Sequence, residues 1–314
     1  MSVVPICKEY RNMQPEDILP LFMAFKAASG LSGRTLGDYK TILGIFFSRY
    51  PDALDYPRER TMAFLAGYSN PSSYNIRFAY LKVFWSWCVS EGLFRGDRFP
   101  LDGLKKRRPR GRIVQLSEGE VARLLKQPDR STYAGLRDFT GILLQVDTGI
   151  RPGEMLALLP DDFAPARGEI IIRAEHAKTR TARTLPLSQP TLEAITRLLA
   201  VRPAVWGEVP IFATSDGRAY NVREYSRRIK AYGKAAGLDI TAYSLRHAAA
   251  LLFLRRGGGA FALQNLLGHS TMAMTKHYIH LTQEDTRREH KAAGVVLHLV
   301  GEKEVPKNTR LRKI

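Results

Sequence analysis

Six side chains in the second half of this 314-residue sequence stand in settings suited to chemistry on an anion: Arg151, Lys178, Tyr243, Arg246, His269 and Tyr278. Arg151 lies in Thr148-Gly149-Ile150-Arg151-Pro152-Gly153-Glu154, between a glycine-containing turn and a proline. A residue before proline is steered out of helical backbone, so this arginine is held at a sharp turn. Lys178 occupies a basic turn. Arg246 follows Tyr243-Ser244-Leu245 at the start of an apolar helix, and His269 marks the break in Leu266-Leu267-Gly268-His269-Ser270, with Tyr278 nine residues on. Singly, each has a plain structural explanation, because an arginine at a helix start is usually a surface residue. Converging on one point, they would make an anion site that calls for no metal or cofactor. The planar guanidinium bonds two phosphate oxygens at once and keeps its charge near neutral pH. One donor aimed at charge developing on phosphorus is commonly worth about 3–4 kcal/mol of barrier, and a phenol beside it could be the attacking group.

The order and spacing of these segments, with Leu245-Arg246-His247 and Thr275-Lys276-His277-Tyr278, resemble the tyrosine recombinase (phage integrase) family over residues 14–285. A lone LLGH or TGxR would be weak; the four parts in sequence are specific. The resemblance implies that Tyr278 attacks a scissile phosphodiester, forming a 3′-phosphotyrosyl link and releasing a 5′ hydroxyl. It implies Arg151 and Arg246 on the non-bridging oxygens, Lys178 as proton donor to the leaving oxygen, and His269 bonded to the phosphate. The covalent link conserves the phosphodiester energy, so rejoining would need neither ATP nor metal. The implied partners are double-stranded DNA carrying recombination sites, a homotetramer on paired sites passing through a Holliday junction, and accessory DNA-bending or directionality proteins. Its outcome would be integration or excision of a mobile element, or resolution of DNA multimers.

One position departs from the family pattern, which usually has His-x-x-Arg where this chain has Tyr243-x-x-Arg246. A phenol donates one hydrogen bond and stays neutral near pH 7, its reference pKa being about 10; it cannot do the acid–base work of imidazole. Three outcomes are open: Tyr243 fills the bonding role, His247 substitutes, or catalysis is slower. The first is favoured. Glu154 reads as structural, holding the turn that carries Arg151, and His277 and His280 read as polar residues near a surface loop, with base assistance to Tyr278 as the alternative.

The elements that must position these groups are mainly α with a small β-sheet. Residues 14–100 form an N-terminal all-α bundle, the SAM-like core-binding domain of the resemblance, in which the aromatics of 73–91 read as core, with exposed rings stacking on DNA bases as the alternative. Residues 101–115 form a basic interdomain linker and 116–300 an α+β catalytic domain, with tails at 1–13 and 301–314. The catalytic domain opens on a capping box, Ser117-x-x-Glu120, and carries two strands, at 170–172 and 184–187. A helix at 283–293 and the apolar Val295–Val300 follow Tyr278, the latter suited to docking on a neighbouring protomer or on its own domain. Fewer than about 20 residues precede the first helix, too few for a further arm-site-binding domain.

Composition narrows the class. Lys and Arg total 48 against 30 Asp and Glu, a net charge of +18, which calls for an anionic partner. Residues 1–100 hold 12 basic and 9 acidic residues, whereas 101–115 hold six and one. Lys105, Lys106, Arg107, Arg108, Arg110 and Arg112 therefore read as a linker lying along a phosphate backbone, with a merely solvated linker or a nuclear-localisation signal as alternatives. No apolar run reaches the roughly 18–20 residues of a membrane span. No secretory signal, P-loop, CxxC or Cys/His cluster occurs, and the expected compartment is a reducing prokaryotic cytoplasm, at the nucleoid. The competing functions are strand relaxation of the type IB topoisomerase kind and non-catalytic architectural DNA binding. Replacing Tyr243 with His is expected to raise, or at least preserve, strand cleavage on target DNA; a complete loss would mean that the phenol itself is required.

Overall fold

Among the described residues, four helices build the first unit: α1 (Pro15–Ala28), α2 (Gly33–Arg49), α3 (Pro57–Ala66) and α4 (Pro71–Ser90). Each start is written in the sequence. Proline stands in the first turn of α1, α3 and α4, where its missing N–H costs nothing, and the Ser32 and Asn70 side chains cap α2 and α4. The computed structural model describes residues 13–94, 96–108, 115–177 and 179–279. Its chain divides into two compact units, Met1–Arg112 and Ile113–Ile314.

The aromatic residues of the first unit are its core, as their helical spacing predicts. Phe22 is ringed edge-on by Tyr39, Phe84 and Trp87, with centroids 5.2–5.3 Å apart. The buried Trp85 indole donates to Thr61 Oγ1 at 2.9 Å, which settles the one polar atom it carries inside. The basic stretch begins inside this unit. Leu101 is buried in the same core, and Arg107 is pinned to the bundle: its backbone N–H bonds Asn75 Oδ1 and its guanidinium lies 3.9 Å from the Tyr74 ring centroid. Lys105, Lys106 and Arg108 are exposed, and Arg110 and Arg112 lie outside the described residues.

The second unit runs α5 (Glu118–Leu125), α6 (Tyr133–Thr148), α7 (Pro152–Leu156), β1 (Phe163–Ala164), β2 (Glu169–Ile172), β3 (Arg183–Pro186), α8 (Gln189–Ala200), α9 (Val222–Ala235), α10 (Ala242–Arg255), α11 (Ala260–Leu267) and α12 (Met272–Ile279). The strands form one antiparallel sheet in the order β1-β2-β3, with Ile170 opposite both Phe163 and Leu185. β1 is absent from the sequence expectation, because two residues between 3₁₀ turns show no alternation. Helices α6 and α10 carry the centre of the core through Ile142, Leu144, Leu245 and Ala248. The expected helix at 283–293 and the apolar 295–300 lie outside the described residues. Among those described, no helix is long and apolar enough to cross a membrane.

One junction ties α6, the turn after it and α10 together. α6 ends at Gly149, whose φ of 66° is left-handed, and the buried Gln145 side chain donates to the carbonyls of both Ile150 and Ala242 at 3.3 Å. Tyr225 locks that amide by donating to its oxygen at 2.7 Å. The turn before Arg151 and the start of α10 are thus held by one side chain. Gly149→Ala would force a left-handed alanine and place its Cβ 2.5 Å from Leu267 Cδ2. Its expected cost is about 2–4 kcal/mol of stability, to be read from the urea midpoint; an unchanged midpoint would contradict this account.

Candidate active site

Arg246 stands on the second turn of α10 and is buried, although the sequence expectation sets it in the first turn. Its Nη1 donates to the Gly149 carbonyl, which caps α6, and its Nη2 to the Leu267 carbonyl, the last of α11, at 2.8 Å. Helix C-termini present carbonyls with no partner in their own helix and carry partial negative charge, so they are natural seats for a cation. Nη2 also lies 3.1 Å from His269 Nε2. Arginine can only donate, so Nε2 accepts and the imidazole carries its proton on Nδ1, which faces Thr275 Oγ1 at 3.0 Å. This assignment needs a neutral ring. Burial, followed by the charges of Arg246, Arg151 and Arg183, pushes the His269 pKa down to about 4. Burial, then Arg151, lowers Arg246 to about 10, still cationic at neutral pH.

Arg151 caps α7 in extended backbone, with Pro152 behind it. Its Nη1 donates to Glu154 Oε1 at 2.8 Å and its Nη2 to the Gly268 carbonyl at 3.2 Å. The other Glu154 oxygen accepts from Arg183 Nη2 on β3 at 2.6 Å. Burial alone would raise the Glu154 carboxyl; the hydrogen bonds and charges of Arg183 and Arg151 outweigh it and hold the group below its ordinary range. The carboxylate therefore bridges two arginines, the holding role read for it from the sequence. Gly268, at φ 61°, leaves room for Arg183, since a Cβ there would sit 3.1 Å from the guanidinium.

Tyr278 on α12 closes the cluster. It is buried; its ring lies parallel to His269, with centroids 6.3 Å apart, and its hydroxyl is 2.8 Å from His247 Nδ1. Burial raises the phenol pKa, against the weaker opposing pull of Arg246 and Arg151. A cleft of about 440 Å³ opens alongside, lined by Thr179, Arg183, Gln264, Gly268, His269 and Ser270. Arg151, Arg246, His269 and Tyr278 thus meet in one place. Tyr243 does not join them by any hydrogen bond among the described residues, and its side chain is 52% exposed. Lys178, His280 and the His277 side chain lie outside the described residues.

Residues 115–285, more than half of the chain, match the phage integrase family. The chain belongs to that family. This integrase-family chain is 28% identical over 303 residues to tyrosine recombinase XerD of Xanthomonas axonopodis pv. citri, covering 88% of this chain and 98% of the relative. It is 30% identical over 261 residues to XerC of Alcanivorax borkumensis, covering 79% and 81%. A lambda integrase dimer bound to a core site shares the fold, with a TM-score of 0.70 at 20% identity over 86% of this chain and 78% of that one. Among the described residues of this family member, no group of three or more His, Cys, Asp or Glu side chains could hold a metal ion.

Two residues of the site carry no signal of their own in the sequence. Arg183 begins a strand five residues beyond Lys178, and only the pairing of β2 with β3 and the packing under Gly268 turn it to Glu154. Thr275 reads only as part of the motif before Tyr278, and it orients His269. His247, open from the sequence as a substitute for position 243, receives the tyrosine contact instead.

The half-buried His269 and the buried Glu154 both make the second unit sensitive to acid. His269 has a folded pKa of about 4 below its reference 6.5, so the unfolded chain takes up the proton first as pH falls. Its contribution is flat above 6.5 and turns destabilising between 6.5 and 4; Glu154, also depressed, adds to the loss at the lower end. Thermal melts of the DNA-free chain should show Tm falling over this window, with His269→Gln giving the shallower slope. Parallel Tm curves would contradict it.

Proposed function

We propose that this recombinase breaks a DNA strand by attack of Tyr278 Oη on a phosphodiester held by Arg151 and Arg246, and rejoins it by the reverse step. The observation that supports it best is the meeting of a buried phenol with two arginines and a neutral imidazole from four separate chain segments. Each guanidinium has five N–H donors. Among the described residues, the bonds to protein occupy two on Arg151 and three on Arg246, so both retain donors for phosphate oxygens. These donors are preorganised by helix ends before the phosphate arrives, which is what lets them act on charge that develops in the transition state. His269, uncharged and hydrogen-bonded on both nitrogens, orients Arg246; it donates to the phosphate once its proton moves to Nε2, with Thr275 Oγ1 then donating to Nδ1.

The remaining roles follow the family pattern. Lys178 supplies the proton to the leaving 5′ oxygen, and Tyr243, exposed at the start of α10, faces the duplex as a hydrogen-bond donor. Lys105, Lys106, Arg108, Arg110 and Arg112 lie along the phosphate backbone, while Arg107 anchors the stretch to the first unit. The working assembly is a homotetramer on paired duplex sites, helped by accessory DNA-bending or directionality proteins. A lambda integrase tetramer bound to a Holliday junction has the same fold, with a TM-score of 0.68, and supports this reading. Sequencing DNA recovered as covalent adduct would give the site. On a nicked suicide duplex of that sequence, wild type should form a covalent band on a denaturing gel, and Tyr278→Phe should bind the duplex equally but form none. An adduct formed normally by Tyr278→Phe would overturn the assignment.

A further inference from the structure

We propose that His247 is the proton acceptor for the nucleophile: its Nδ1 takes the Tyr278 phenol proton as Oη bonds to phosphorus, and returns it when the strand is rejoined. This rests on the reading of Tyr278 as nucleophile. The geometry is direct, with Nδ1 2.8 Å from Oη, the two ring centroids 5.7 Å apart and the planes inclined at 44°. That distance is within proton-transfer reach before any substrate binds.

The other candidates are placed for different work. His269 lies parallel to the Tyr278 ring, and both of its nitrogens are engaged, Nε2 by Arg246 and Nδ1 by Thr275. Taking a proton on Nε2 would put a cation against the Arg246 guanidinium. Position 243, where the family pattern has an imidazole, holds a phenol that is 52% exposed and makes no hydrogen bond among the described residues. Glu154 is spent on Arg151 and Arg183. The imidazole next to Arg246 therefore does what the residue three before it cannot. Because Tyr278 is buried, and burial disfavours its phenolate, the proton has to leave during attack rather than before it.

The step balances. Oη forms a bond to phosphorus, the bond from phosphorus to the 5′ oxygen breaks, and the 5′ oxygen keeps the electron pair. The phenol proton passes to Nδ1 of a neutral His247 whose other proton is on Nε2. The leaving oxygen takes a separate proton, the role proposed for Lys178.

The test uses the full chain and the nicked suicide duplex under single-turnover conditions. His247→Ala should bind the duplex as wild type does and form the covalent adduct about 100-fold or more slowly. His247→Asn, which keeps a hydrogen-bond acceptor but takes up no proton, should be comparably slow and guards against a folding defect in the alanine variant. Added imidazole should speed His247→Ala in proportion to its free-base concentration. A duplex with sulfur in place of the bridging 5′ oxygen, whose leaving group needs no proton, should leave both variants slow. The inference is overturned if His247→Asn cleaves at nearly the wild-type rate, since a hydrogen bond would then suffice. It is equally overturned if the sulfur substrate restores His247→Ala, which would move the residue to the leaving group, or if imidazole has no effect. Absence of adduct from wild type would count against the recombinase reading instead.

Discussion

A cation buried without a carboxylate is the condition around which the second unit is organised. Arg246 is 5% exposed, and among the described residues its guanidinium bonds no acidic side chain. Removing such a charge from water is expensive unless hydrogen bonds replace the lost solvation. The replacement comes from the carbonyls at Gly149 and Leu267, each at the C-terminal end of a helix, and from the imidazole of His269. Two segments, the turn at Gly149 and the end of α11 from Leu267 to His269, must close on α10 for this to happen. The close approach of Gly149 to Leu267, the fixed tautomer of His269 and the seat of Tyr278 against it all depend on that closure.

The same arrangement keeps the site positive. Among the described residues, Arg151, Arg183 and Arg246 gather around a single carboxylate, Glu154, which is divided between Arg151 and Arg183. A second acid beside Arg246 would have cancelled the field that a phosphate responds to. Helix-end carbonyls hold the guanidinium with partial charges only, so the arginine is positioned without being neutralised. The neutrality of His269 is a consequence of burial and of this field, which works against a second positive charge in the cluster.

Charge elsewhere is used differently in the two units. The first unit has an aromatic core in which the Trp85 indole is tied to Thr61, while the buried Trp87 Nε1 has no hydrogen-bond partner among the described residues. Arg107, exposed like its neighbours Lys105, Lys106 and Arg108, stacks on Tyr74 and bonds Asn75. The +18 of the whole sequence is thus partly a diffuse attraction for a polyanion and partly three arginines in fixed places.

Much of this was legible in the residues themselves. Helix starts carry their own caps and prolines, as at Ser32, Asn70 and Ser117, and the apolar spacing of α2 and α4 marks their buried faces. Arg151 announces itself by a left-handed glycine before it and a proline after it, and Glu154, three residues on, reads correctly as the group that holds it. Such features are local: a cap, a turn or a ridge of apolar residues depends on neighbours within about one turn of helix. β1 escaped because two paired residues have no periodicity, and Arg183 because its partner is 29 residues away across a strand pairing. The contrast is sharpest at His247 and Tyr243. Chain spacing favours position 243, on the same helical face as Arg246, whereas the residue after Arg246 points about 100° around the helix from it. The sequence determined which side chains were available and which turns would hold them. The tertiary structure alone decided that the imidazole at 247 meets the tyrosine hydroxyl, because that contact depends on how α12 packs on α10 across 31 residues of chain.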